Sequence, residues 1–88
     1  MHSRNKPAMT AQERRHVTRI KAMSCVVCDA SGPSEAHEIE QGLWWVAIPL
    51  CADCHRGRNG IHGTRALWKV RKLSELDALN ETLRRLNA

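Results

Sequence analysis

The sequence predicts a small α+β domain stapled by a metal ion, and three observations predict it. Two C-x-x-C pairs, Cys25–Cys28 and Cys51–Cys54, are separated by 22 residues, a spacing of four-cysteine zinc sites. Between the pairs, two short β-prone stretches meet near Gln41-Gly42, the pattern of a hairpin. On both sides of this centre, capping residues and apolar spacings of three and four mark helices. A staple is expected on size alone, because 88 residues form one small domain whose apolar core is marginal. There is no Phe or Tyr, and only Trp44, Trp45 and Trp68 supply large aromatic surface. The chain reads as a single domain over residues 1–88, with a basic arm and helix over 1–23. Zinc knuckles, hairpin and a histidine-bearing loop follow over 24–63, and C-terminal helices over 64–88.

In chain order, residues 1–9 lack periodicity and read as an arm. Thr10 with Glu13 three residues on is a capping box, so a helix is predicted from Ala11 through QERRHVTRIKA. Val17 and Ile20 give it a narrow apolar stripe, which places it on the surface. CVVCDASGPSEA then turns too tightly for a helix, with Gly32-Pro33 forbidding continuation. Strands are predicted over Ala36–Glu40 and Leu43–Leu50, and adjacent Trp44 and Trp45 would then point to opposite faces. After Gly63, TRALWKVRKL predicts a helix of two to three turns. Ser74 caps a last one, SELDALNETLRRL, whose Leu76, Leu79, Leu83 and Leu86 form a stripe read as core packing or a small dimer seam.

The charge of +5 is unevenly spread. Arg4, Lys6, Arg14, Arg15, Arg19 and Lys21 stand against Glu13 before residue 24. From residue 64 onward six basic side chains face three acidic ones. The centre reverses this, since Asp29, Glu35, Glu38, Glu40 and Asp53 outnumber Arg56 and Arg58 there. Basic edges around an acidic, histidine-bearing middle suit a polyanion gripped at its flanks with a cation in the centre. No stretch resembles a signal peptide and none approaches the roughly 18 apolar residues of a membrane span. The expected location is therefore cytoplasmic, without a membrane partner, where paired cysteines stay reduced and bind metal.

Four thiolates close the coordination sphere of zinc, so Cys25, Cys28, Cys51 and Cys54 define a structural site that leaves His37, His55 and His62 for a second task. His2 and His16 read as ordinary surface residues. His55 and His62 are seven apart, which on an unbroken helix is about 10 Å. If both hold one ion the helix must break between them, and Gly57, Asn59 and Gly60 are residue types that permit the loop.

The C-x-x-C, the AHEIE stretch and IPLCADCHRGRNGIHG together resemble HNH endonucleases with a ββα-metal, treble-clef-like core, and most closely the phage RecA-dependent Ref-type nucleases. The resemblance covers roughly residues 11–70. It implies an endonuclease, phage or prophage derived, that hydrolyses DNA phosphodiester bonds, with DNA and a recombinase filament as partners and host cytoplasm as location. It also implies a structural zinc on the cysteines and a catalytic cation, magnesium or manganese or zinc. In that family a histidine at the end of the first strand activates water, and histidines after the second knuckle hold the cation. Carried over, His37 or Glu38 falls at the strand-end position and His55 and His62 at the metal positions.

Two arrangements stay open there. Glu38 or Glu40 binds the cation while His37 acts as base, or His37 binds it while a glutamate takes the proton. The weaker basicity of an unperturbed carboxylate favours His37 as base. Arg14, Arg15, Arg19, Arg56 and Arg58 are the candidate phosphate contacts. Two departures from the family support a rival reading, a non-catalytic zinc-stapled nucleic-acid-binding or adaptor module. His37-Glu38 replaces a common pair of histidines, and Trp45-Val46-Ala47 stands where an asparagine is usual.

Overall fold

The structure is a computed structural model that describes residues 8–88. Most of the expected arm, with His2, Arg4 and Lys6, lies outside the described residues. It is an α+β fold of one two-stranded sheet and four helices.

The first helix, α1 (Ala11–Ala22), starts at the predicted capping box: the Thr10 hydroxyl accepts from the Glu13 N–H at 3.1 Å, and the Glu13 carboxylate accepts from the Thr10 N–H at 2.8 Å. Val17 and Ile20 are buried as expected. His16 is buried with them, which corrects its reading as a surface residue. It follows the same inward face, one position before Val17 and four before Ile20.

The hairpin pairs β1 (Glu35–Glu38) with β2 (Ala47–Leu50) antiparallel, His37 opposite Ile48 and Glu38 opposite Ala47. Both strands are shorter than the sequence suggested. Residues 39–46 fold on themselves: Leu43 N–H donates to Glu40 O and Val46 N–H to Leu43 O, both at 3.1 Å, while Gly42 adopts φ 91°. The apolar run LWWVAIPL is therefore half turn and half strand, and neither Trp44 nor Trp45 lies on a strand. All four residues of β2 are buried because α1, α2 and α4 pack on it, so no alternation shows in its sequence. Pro49 is tolerated in this sheet, and its carbonyl accepts from Val26 N–H at 2.9 Å, tying the first knuckle to β2.

Three helices complete the chain: α2 (Ala52–His55), α3 (Ala66–Arg71) and α4 (Glu75–Leu86). Ser74 caps α4 as predicted, with Asp77 completing a capping box. The leucine stripe faces the core only in part: Leu79 packs against it and Leu86 is half-buried. Ala78 and Thr82 are the buried residues, while Leu76 and Leu83 are 73% and 43% exposed. Small residues at the contact let α4 approach the sheet closely, and the Thr82 hydroxyl is satisfied by Ala78 O at 2.8 Å. The core gathers Val26, Val27, Ile48, Leu50, Ile61, Trp68 and Ala78 around Cys25 and Cys54. Each buried Val, Leu or Ile there contributes about 1.5–3 kcal/mol. Among the described residues no helix is long and apolar enough to cross a membrane.

Candidate metal centres

The four cysteines converge. Each knuckle is a tight turn: Asp29 N–H donates to Cys25 O at 2.9 Å in the first, and His55 N–H to Cys51 O at 3.0 Å in the second. All four Sγ atoms lie within 4.8 Å of one another, and none is in a disulfide. Thiolates at 2.3 Å from a tetrahedral zinc stand about 3.8 Å apart. Cys28 and Cys51 Sγ are at 3.7 Å. Burial pushes the Cys25 thiol up, but backbone N–H groups of Cys51, Cys28 and Val27 outweigh it and bring the pKa below the usual thiol value. Burial, followed by the neighbouring sulfurs, pushes Cys54 far up. Four such sulfurs ionise together only around a cation. The cluster therefore fits a structural zinc.

The second knuckle also delivers the histidines. α2 ends at His55, and the following loop doubles back so that Ile61 N–H donates to Cys54 O at 2.8 Å and His62 N–H to His55 O at 3.1 Å. Trp68 Nε1 donates to the same Cys54 carbonyl at 2.9 Å, fastening α3 to the turn. The expected helix break is present, but its glycines serve close approach rather than positive φ. A Cβ at Gly60 would sit 2.5 Å from Asp53 O.

His37, from β1, joins His55 and His62, and one ring nitrogen of each lies within 4.8 Å of the others. His37 is buried, His55 half-buried and His62 exposed, so the cluster opens to solvent on the His62 side. His37 Nδ1 and His55 Nε2 are 3.2 Å apart. Their outer nitrogens meet carboxylates: His37 Nε2–H donates to Glu75 Oε2 at 2.7 Å, and His55 Nδ1–H to Glu35 Oε1 at 2.8 Å. With those protons committed outward, the two facing nitrogens both carry lone pairs. Two lone pairs at this distance repel unless a cation lies between them. Imidazoles about 2.1 Å from one ion at angles of 90–109° have donor atoms about 3.0–3.4 Å apart. The three histidines therefore fit a cation, with Glu35 and Glu75 fixing tautomer and ring orientation.

The surrounding charges agree with this arrangement. The His55 hydrogen bond, then Arg56, holds the Glu35 carboxyl below its usual range. Desolvation, followed by the neighbouring His55 and His37, lowers the pKa of His62, which keeps its lone pair available.

The other candidates distribute differently. Glu38 lines the same cleft, about 340 Å³ bounded also by Ala36, Gln41 and the three histidines, and its Oε1 accepts from Gly42 N–H at 2.8 Å. Glu40 is exposed and is not among the cleft residues. Arg56 spends its guanidinium on Glu35, with Nε and an outer nitrogen each 2.8 Å from Oε2. Arg58 is exposed on the loop, and Arg14, Arg15 and Arg19 are exposed on α1. Sequence reasoning missed Glu35 and Glu75 as histidine partners, because no local spacing links Glu75 to a histidine 38 positions away. It also missed Arg65, which donates through Nε to Ile61 O at 3.2 Å and whose charge acts on His62.

Fold and site together define a small α+β module with a four-cysteine cluster fit for zinc beside a three-histidine cluster. No family model, curated protein or solved structure matches the chain.

Proposed function

We propose that this chain is a metal-dependent endonuclease of the HNH type that hydrolyses DNA phosphodiester bonds. One observation carries the reading: three imidazoles converge on an open cleft, two of them oriented by carboxylates so that lone pairs face each other 3.2 Å apart. A divalent cation held there would polarise a scissile phosphate and stabilise the leaving oxygen. The all-nitrogen donor set favours a borderline ion such as zinc over magnesium, which prefers oxygen ligands. The 3.2 Å spacing supports His37 as a third holder of the cation beside His55 and His62. Glu38, in the same cleft, is then the proton acceptor for the attacking water. Arg65 and Arg58 present exposed guanidinium groups on the segment that carries His62, suited to the phosphates on either side of the cut.

The competing reading is the non-catalytic nucleic-acid-binding module. It is favoured by the His37–Glu75 bond, which alone would fasten α4 to β1 without any chemistry. The two separate by incubating the protein with plasmid and single-stranded DNA under zinc, manganese and magnesium. Cleavage that chelator and a His62→Ala change both abolish supports the nuclease. DNA binding without cleavage under any ion sinks it. Among the cleft variants, Glu38→Gln should lower the rate at full metal occupancy, while His37→Ala should lower the metal occupancy itself.

A further inference from the structure

Trp45 is 53% exposed in a chain that has three tryptophans and no other large aromatic side chain. It is not an isolated surface residue. Gln12, Arg15, His16 and Arg19 recur at i, i+3, i+4 and i+7 along α1, and this one face lines a cleft of about 290 Å³ with Trp45. The His16 ring supports the indole from beneath, with centroids 4.9 Å apart and planes tilted by 40°. His16 is buried, and its Nε2 has no hydrogen-bond partner. Arg19 is steadied from the far side, its guanidinium 3.5 Å from Leu86 O, and Arg15 is exposed.

An aromatic face beside two arginines, with no aliphatic rim, matches a nucleotide better than a protein surface. The indole offers a stacking plane that any base can use, and the guanidinium groups offer partners for the phosphates on either side. A duplex hides its base faces in the stack, so the ligand this cleft fits is an unpaired base. Trp45 is three residues from Ile48, the cross-strand partner of His37, so its Cα is at most about 10 Å from that of Ile48 and about 15 Å from that of His37. This is about four to five nucleotide rises of a DNA strand.

We propose that Trp45, backed by His16 and flanked by Arg15 and Arg19, stacks an unpaired nucleobase, making single-stranded or branched DNA the preferred substrate form. The proposal rests on the nuclease reading for its substrate, but its test is a binding measurement that needs no cleavage.

The probes are a fluorescent 15-nucleotide oligothymidylate, the same strand with abasic residues through its middle, and a duplex of equal length. Anisotropy is read with protein that carries one zinc per chain, on its four cysteines, and no other divalent ion, so that the histidine site stays empty. The intact single strand should bind on the order of tenfold more tightly than the abasic strand. Trp45→Leu should erase that preference while leaving affinity for the abasic strand unchanged, and Trp45→Phe should keep most of it. Arg15→Gln with Arg19→Gln should weaken all three probes and flatten their salt dependence. Zinc content and far-ultraviolet circular dichroism report whether each variant is folded, and an unfolded Trp45→Leu leaves Trp45→Phe and the abasic comparison as the deciding measurements. Equal affinity for intact and abasic strands, a preference for duplex, or a Trp45→Leu change that converts a dimer to a monomer without altering the base preference would each overturn the proposal. Nuclease failure would show separately, as Trp45-dependent binding without cleavage.

Discussion

Replacing Glu75 by glutamine changes one charge and almost no volume, and its only hydrogen bond to the histidine cluster is to His37, although its charge also acts on His62. In the native chain the Glu75 carboxylate accepts from His37 Nε2–H at 2.7 Å, which commits the proton outward and leaves Nδ1 with its lone pair toward His55. An amide can instead donate to Nε2, and the imidazole then carries its proton on Nδ1, where it blocks the cluster. Loss of such an orienting carboxylate typically lowers metal affinity about 10–100-fold, or about 1.4–2.7 kcal/mol. Glu75 is also the first residue of α4, so the change removes a negative charge from the helix start, a loss of about 0.3–1 kcal/mol that Asp77 partly offsets. The assay is competition for zinc or manganese against a chromophoric chelator, with the four-cysteine site already filled. Affinity at the second site should drop within that range, the tightly held ion should remain, and the melting temperature should fall by no more than about 8 °C. Unchanged affinity would refute the orienting role of Glu75. Simultaneous loss of both ions would show that Glu75 holds the fold rather than the site.

Other consequences are as direct. Cys51→Ser, or strong chelation, should unfold the domain as seen by circular dichroism, because structural zinc contributes about 10–16 kcal/mol, as large as the whole stability of a typical domain. Gly60→Ala should destabilise by at least about 1–3 kcal/mol in denaturant melts and weaken the second metal site together with stability, since its Cβ would meet Asp53 O and pry the returning loop from α2. Leu50→Ala should cost about 2–5 kcal/mol, whereas Leu76→Gln should stay within about 0.5 kcal/mol, because Leu50 is fully buried and Leu76 is 73% exposed. The lowered pKa of His62 means that the unfolded chain takes up its proton first as pH falls. With zinc on the cysteines and the histidine site left empty, its contribution is therefore present above about pH 6.5 and lost progressively below, which His62→Ala should flatten in melts between pH 7 and 5.

The cysteine staple was legible because its information is local: a C-x-x-C turn aims two sulfurs at one point whatever surrounds it. α1 was legible for a similar reason, since Thr10 and Glu13 name its first turn and Val17 and Ile20 its inner face. The histidine cluster was half legible. The glycine loop allowed His55 and His62 to meet, but the role of His37 turned on Glu75 and on cross-strand register, which no sequence spacing encodes. The hairpin bounds failed because LWWVAIPL has strand composition throughout, while the turns at Leu43 and Val46 arise from backbone bonds within the loop. The leucine stripe misled for a physical reason as well. Periodicity shows that a helix has a distinct face, but here close approach to the sheet selected Ala78 and Thr82, leaving Leu79 at the edge of the core and Leu76 and Leu83 outward.

The separation of a sulfur site from a nitrogen site is best tested by counting and locating metal. Crystals grown with added zinc or manganese, with anomalous scattering at each absorption edge, should give two ions per chain. One should lie among Cys25, Cys28, Cys51 and Cys54, and the other within about 2.3 Å of ring nitrogens from His37, His55 and His62. A single ion on the cysteines, with the imidazoles bonded only to each other and to Glu35 and Glu75 at saturating metal, would contradict it.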